Sequence, residues 1–138
     1  MATERNEDYL EALDTIIERK GYAWVKEDSK RITEGIYTTG RLKDPVDEQS
    51  LILKSRKGWY VLVGCSHPGV DKILRVARQI GNIAGTIGGF HGFDNFSVVN
   101  DLDFICPCQC TKYKKELIKR FPEKSCECGV GQTIDLSM

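Results

Sequence analysis

The sequence predicts a single α/β domain, and three observations carry that reading. A chain of 138 residues with 41% hydrophobic content fits one core, because at this length roughly two-thirds of the unfolded surface can be buried. A hairpin signal is followed by strand, polar loop, helix and strand, which together make a βαβ unit. The pattern then repeats, so that three successive strands each deliver a loop carrying His or Cys. In an open α/β sheet, ligands bind at the carboxyl ends of the strands.

Taken in order, Glu7 to Lys20 places Tyr9, Leu10, Leu13, Ile16 and Ile17 on one helical face, with Glu11, Asp14 and Glu18 opposite. Asn6 suits the N-cap and Gly21 the stop. Tyr22 to Lys26 has the composition of a strand, and Ile32 to Thr38 adds another before Gly40. Ser50 to Lys54 and Trp59 to Val63 are β-rich runs joined by Ser55-Arg56-Lys57-Gly58, a hairpin signal. The second run is continuously apolar, as in a strand covered on both faces. After the loop Gly64 to Gly69, a helix is expected over Val70 to Ile80, with Gly81 as its stop, and then a strand over Ile83 to Ile87. The glycine-rich loop Gly88 to Phe93 leads to a weak helical pattern over Asn95 to Leu102 and a strand over Asp103 to Cys106. Thr111 is placed to N-cap a helix over Lys112 to Phe121, and a last strand is expected near Gln132 to Leu136.

Composition narrows the function classes. Twenty basic residues balance 20 acidic ones, so the phosphate attraction that dominates nucleic-acid binding is not expected. No apolar run suits a membrane span or a signal peptide, which makes a cytoplasmic protein the expectation. Six cysteines in such a chain read as reduced thiols or metal ligands rather than disulfides.

Three constellations carry chemistry. Cys65, Ser66 and His67 stand in Gly-Cys-Ser-His-Pro-Gly, where thiolate and imidazole are good zinc ligands or could form a nucleophilic pair. The plain alternative is a loop with a half-buried Cys and an exposed His. His91, in Gly-Gly-Phe-His-Gly-Phe, is either a ligand in a loop that admits close approach or part of a turn packed by Phe90 and Phe93. The pairing favours the ligand reading, since the chain's two histidines both follow strand ends in such loops. Cys106, Cys108 and Cys110, together with Cys126 and Cys128, could form a second metal or thiol cluster. Against that, four-thiolate zinc knuckles usually space their cysteines by two to four residues rather than one. On a strand, the first three would share a face as small buried hydrophobes.

The order of these segments resembles a known family. Gly35-Ile-Tyr-Thr-Thr-Gly40, Asp47 to Leu53, Gly58 to Gly69, Ile87-Gly-Gly-Phe-His91 and Cys106-Pro-Cys-Gln-Cys-Thr111 are similar to the C-terminal half of the metallo-β-lactamase-like hydrolases. The closest branch looks like the one named for a dihydropterin ribofuranosylaminobenzene phosphate synthase. The resemblance implies half of an αββα sandwich, a mixed sheet with helices on one face and a metal edge between two similar halves. It divides the chain into an N-terminal helix and strand, 1–34, and a half-domain, 35–138. It places Cys65 where many members have a metal-bridging Asp, and makes His67 and His91 metal-proximal. Gln109 stands where the family has a ligating His, and the His-x-His-x-Asp-His signature of the first half is not in the sequence.

The resemblance therefore implies a truncated or split hydrolase, inactive alone, working as a homodimer or with a partner chain that carries the missing ligands, with zinc or another divalent ion as cofactor. The alternative is a non-enzymatic zinc- or iron-binding or redox module built on the C-terminal cysteines.

Overall fold

The computed structural model describes residues 29–43 and 45–136. The expected helix Glu7 to Lys20 and strand Tyr22 to Lys26 lie outside the described residues. Within them, six strands form one mixed sheet in sequential order: β1 (Lys30–Thr33), β2 (Ile36–Thr38), β3 (Leu51–Ser55), β4 (Gly58–Val63), β5 (Ile83–Gly88) and β6 (Phe104–Pro107). The first four pair antiparallel, and β4, β5 and β6 run parallel. Two helices, α1 (Val70–Ala77) and α2 (Lys114–Arg120), and a 3-10 turn at Phe96–Val99 make the connections.

The period-2 alternation of the strands sorts the core. Tyr37, Ile52, Val61, Thr86 and Ile105 are register partners across β2 to β6, so their side chains line one face. Ile52, Val61 and Ile105 join a single buried cluster with Val70, Ile73, Leu74 and Ala77 of α1, Val99, and Leu117 of α2. All helical elements therefore cover the same face. Thr86 is buried within this row, and its hydroxyl donates to the Val61 carbonyl at 3.2 Å, which removes the penalty of an unpaired buried hydroxyl.

The other face is apolar too. It carries the rows Ile36, Leu53, Tyr60, Gly85, Phe104 and Thr38, Leu51, Leu62, Ile87, Cys106. Tyr60 and Phe104 meet edge-on at 6.1 Å across Gly85. A Cβ on Gly85 would come within 2.7 Å of the Tyr60 ring, so the glycine makes room for the aromatic pair. Leu51 is 38% exposed, and Leu53, Leu62, Ile87 and Phe104 are half-buried.

Four local expectations are corrected. Ile32 to Thr38 is not one strand but a hairpin, because Gly35 adopts φ 73 and turns the chain between β1 and β2. The 34/35 boundary read from the sequence thus falls in that turn, with β1 paired to β2. The weak pattern over Asn95 to Leu102 yields only the short 3-10 turn. Gln132 to Leu136 forms no strand. Thr111 does not cap α2, which starts at Lys114 behind Tyr113 without a side-chain cap; its hydroxyl instead accepts the Phe90 N–H at 2.9 Å.

Candidate metal centre

The strand directions decide which loops meet. Since β4, β5 and β6 are parallel, the loops that follow them emerge at one edge of the sheet. Because β3 runs antiparallel to β4, the residues that precede β3 arrive at that same edge. This brings Glu48, which sequence reasoning did not single out, to the loop of Cys65 and His67. Glu48 is fixed by its own backbone, which exchanges hydrogen bonds with Leu42 at 2.8 and 3.0 Å.

The Glu48 carboxylate organises the β4 loop. One oxygen accepts the Ser66 N–H at 3.0 Å, and the other accepts the His67 N–H at 3.2 Å and contacts His67 Nδ1. A carboxylate only accepts, so Nδ1 is the donor of this pair. A carboxylate that orients an imidazole in this way is the usual support of a metal-bound histidine.

Glu48, Cys65 and His67 offer one ligand atom each, all within 4.8 Å of one another. The His91 ring lies beside that of His67, with centroids 4.6 Å apart and planes tilted by 52°. His67 is half-buried and His91 exposed, so the pair opens to solvent. Carboxylate, thiol and imidazole are a fitting donor set for zinc or a related divalent ion.

Cys110 belongs to this edge. The Cys65 thiol neighbours it, and that interaction, followed by burial, holds the Cys65 thiol above its ordinary pKa. Alternation along β6 therefore ends at Cys108, and Cys110 leaves the face expected for it. Gln109 is exposed, with its backbone carbonyl packed against Gly89.

The backbone is strained here. Ser66, His91 and Cys110, with φ of 60, 47 and 69, are the non-glycine residues with positive φ among the described residues, one in each of the three loops. Such conformations cost on the order of 1–3 kcal/mol each and gather where function requires them. Surrounding contacts hold them: the buried Ser66 hydroxyl donates to the Gly89 carbonyl at 2.6 Å, and Lys112 N–H donates to the His91 carbonyl at 2.8 Å. The loops touch at Gly89, where a Cβ would lie 2.6 Å from the Gln109 carbonyl oxygen and 2.7 Å from that of Gly64. Only glycine fits that approach.

The other four thiols gather apart from this edge. Cys106, Cys108 and Cys128 have their sulfurs within 4.8 Å of one another. Cys126 neighbours Cys106. Burial, followed by the neighbouring thiols, raises the Cys106 pKa, while Cys108 is pushed up to about 11 with burial as the first cause. A shallow concavity lined by Leu53, Lys54, Ser55, Arg56 and Leu136 sits at the β3–β4 turn, the opposite end of the strands from the histidines. Its ionisable side chains are both cationic, and it brings no ligand set together.

The crystal structure of Tm1679, described as a metal-dependent hydrolase of the beta-lactamase superfamily, matches with a TM-score of 0.71 at 26% identity, over 83% of this chain and 58% of that one. The chain has the metallo-β-lactamase-like fold. A related branch is represented in Methanocaldococcus jannaschii by 7,8-dihydropterin-6-methyl-4-(beta-D-ribofuranosyl)-aminobenzene-5'-phosphate synthase. This metallo-β-lactamase-like chain is 28% identical to it over 140 residues, covering 72% of this chain and 48% of the relative. The uncharacterized protein MJ0448 of the same organism is 31% identical over 83 residues, 54% of this chain and 31% of that protein. The chain thus spans half or less of the length of the curated relatives it matches. No protein-family model matches it. Among the described residues, no helix is long and apolar enough to cross a membrane.

Proposed function

We propose that this chain supplies one side of a metal-dependent hydrolytic centre, and that a histidine-rich half outside these 138 residues supplies the other. That half is either another part of the same polypeptide or a separate subunit. The observation that carries the reading is the Glu48–His67 pair, in which a carboxylate fixes an imidazole at the edge shared with Cys65 and His91. A divalent cation held there would supply Lewis acidity toward a scissile carbonyl or phosphoryl group and acidify a water.

The chain's own residues do the positioning. Glu48 fixes the ring of His67, His67 and Cys65 would hold the ion, and His91 stands at the open side of the site. Gln109 offers an amide oxygen where the family has imidazole, which is a poor exchange for zinc. Two imidazoles, one carboxylate and one thiol do not complete a two-ion centre, so the chain alone is expected to hold a single ion at this edge and to lack hydrolase activity. The apolar second face of the sheet supports the same reading, since a face bearing Leu51, Leu53, Leu62, Ile87 and Phe104 is stabilised by a further layer.

The test is zinc and manganese binding by the isolated chain, followed by calorimetry, beside assays with ester, lactam and phosphodiester substrates. One ion per chain at the His67 edge, lost in His67→Ala and weakened in His91→Ala, with hydrolysis appearing only when a histidine-rich half is added, is the expected result. Hydrolysis by the isolated chain, or metal binding indifferent to both substitutions, overturns the reading. A stable dimer that hydrolyses substrate without any second component would assign the missing half to a second copy instead.

A further inference from the structure

Outside the His67 edge, we infer that Cys106, Cys108, Cys126 and Cys128 form a separate four-thiolate site for one zinc ion, which clamps the C-terminal segment onto β6. This inference does not depend on the hydrolytic reading, because it uses none of that site's side chains.

The argument begins with the backbone. Ser125 pairs in parallel with Ile105; Ile105 N–H donates to the Lys124 carbonyl and Cys126 N–H to the Ile105 carbonyl, both at 2.9 Å. Cys126 therefore runs alongside Cys106. In an extended segment, residues i and i+2 point the same way, so two Cys-x-Cys pairs on adjacent extended segments can present four thiols to one space. The single-residue spacing, which counts against a zinc knuckle built on a turn, is what a site built on paired extended segments requires.

Three of the four sulfur positions agree. Cys106 Sγ and Cys108 Sγ are 4.0 Å apart, and Cys128 Sγ lies within 4.8 Å of both. Thiolates about 2.3 Å from a tetrahedral zinc stand roughly 3.8 Å from one another. An iron–sulfur cluster distributes its thiolates over several irons and needs a wider frame. All four are free thiols, so no disulfide competes for them. Cys126 Sγ also accepts the Gln132 side-chain amide at 3.1 Å, the kind of outer contact that orients a ligating thiolate. Cys106 is fully buried while Cys128 is exposed, which leaves the ion an entry path.

The site would have a structural consequence. Residues 129–136 form no helix or strand, and the bridge at Ser125 is a single pair. An ion joining β6 to Cys126 and Cys128 would hold this segment in place. It would also steady Cys108, whose N–H donates to the Gly88 carbonyl at 2.7 Å just before the turn that carries Gln109 and Cys110.

The experiment uses the full 138-residue chain, expressed in zinc-supplemented medium and kept reduced. Elemental analysis is expected to give one tightly held zinc that survives in the His67→Ala/His91→Ala variant and is lost when Cys108→Ser/Cys128→Ser is added to it. Should the serine variant fail to fold, alkylation of the native protein followed by mass spectrometry decides. Cys128 is the diagnostic residue, because its exposure means that burial cannot protect it. Protection of Cys128 that is lost on adding a zinc chelator, with Cys110 labelled throughout, supports the site. Zinc retained by the variant that carries all four substitutions, iron in place of zinc, or rapid labelling of Cys128 without a chelator overturns it.

Discussion

His67 and Glu48, 19 residues apart in sequence, meet through imidazole Nδ1 and carboxylate, and the same carboxylate accepts the backbone N–H groups of Ser66 and His67. One side chain thus shapes the loop and selects the tautomer of its histidine. Replacement of Glu48 by Gln keeps the shape but removes charge and one acceptor. We expect zinc affinity at this edge to fall about 10–100-fold and stability by about 1–3 kcal/mol. Calorimetric titration and urea unfolding read the two effects separately, and unchanged affinity would remove Glu48 from the site.

His91 occupies φ 47, a conformation glycine adopts without penalty. The variant His91→Gly should be more stable than the parent by roughly 1 kcal/mol while binding metal more weakly. That opposition of stability and function is typical of a strained site residue. A loss of stability in urea unfolding would show that the ring's contact with His67 outweighs the backbone strain.

Two glycines of the loop after β5 make a matched pair. Gly89→Ala forces a Cβ to within 2.7 Å of two backbone carbonyl oxygens and is expected to cost about 1–3 kcal/mol or more. Gly92→Ala meets nothing within 4 Å and should stay within about 0.5 kcal/mol of the parent. Equal melting temperatures for the two variants would contradict the close approach of the three loops.

Lys124 anchors the start of the C-terminal segment. Its ammonium donates to the carbonyls of Val99, Asn100 and Leu102 and lies 4.5 Å from the Phe121 ring centroid. Lys124→Met retains the stem and removes the donors, so we expect a loss of roughly 1–3 kcal/mol. Hydrogen exchange should also quicken at Ile105, whose N–H donates to the Lys124 carbonyl. A neutral result would mean that water replaces the ammonium at those carbonyls without cost.

Much of the scaffold is local information and was legible in the sequence. The hairpin of β3 and β4 follows from two alternating runs around Ser55 to Gly58, and α1 follows from the spacing of Val70, Ile73, Leu74 and Ala77. The helix ended near Ala77 because tighter i, i+3 bonds, such as Ile80 N–H to the Ala77 carbonyl, close its last turn. The expected strand at Gln132 to Leu136 did not form; β-rich composition specifies a strand only where a neighbour offers a ladder. Thr111 read as a cap because caps are recognised one segment at a time, whereas the structure engages its hydroxyl with Phe90, 21 residues away.

The sequence by itself determined β3 to β6, the main helix and the three loops that bear His67, His91 and the cysteines, because hydrophobic period and turn residues act over a few positions. Tertiary structure alone decided which of those groups meet. The antiparallel run of β3 brought Glu48 to His67, the positive φ of Cys110 turned it away from β6 and toward Cys65, and the pairing of Ser125 with Ile105 joined two distant Cys-x-Cys pairs. Each is a contact between segments far apart in the chain, set by strand direction and backbone hydrogen bonding rather than by any residue's own preference.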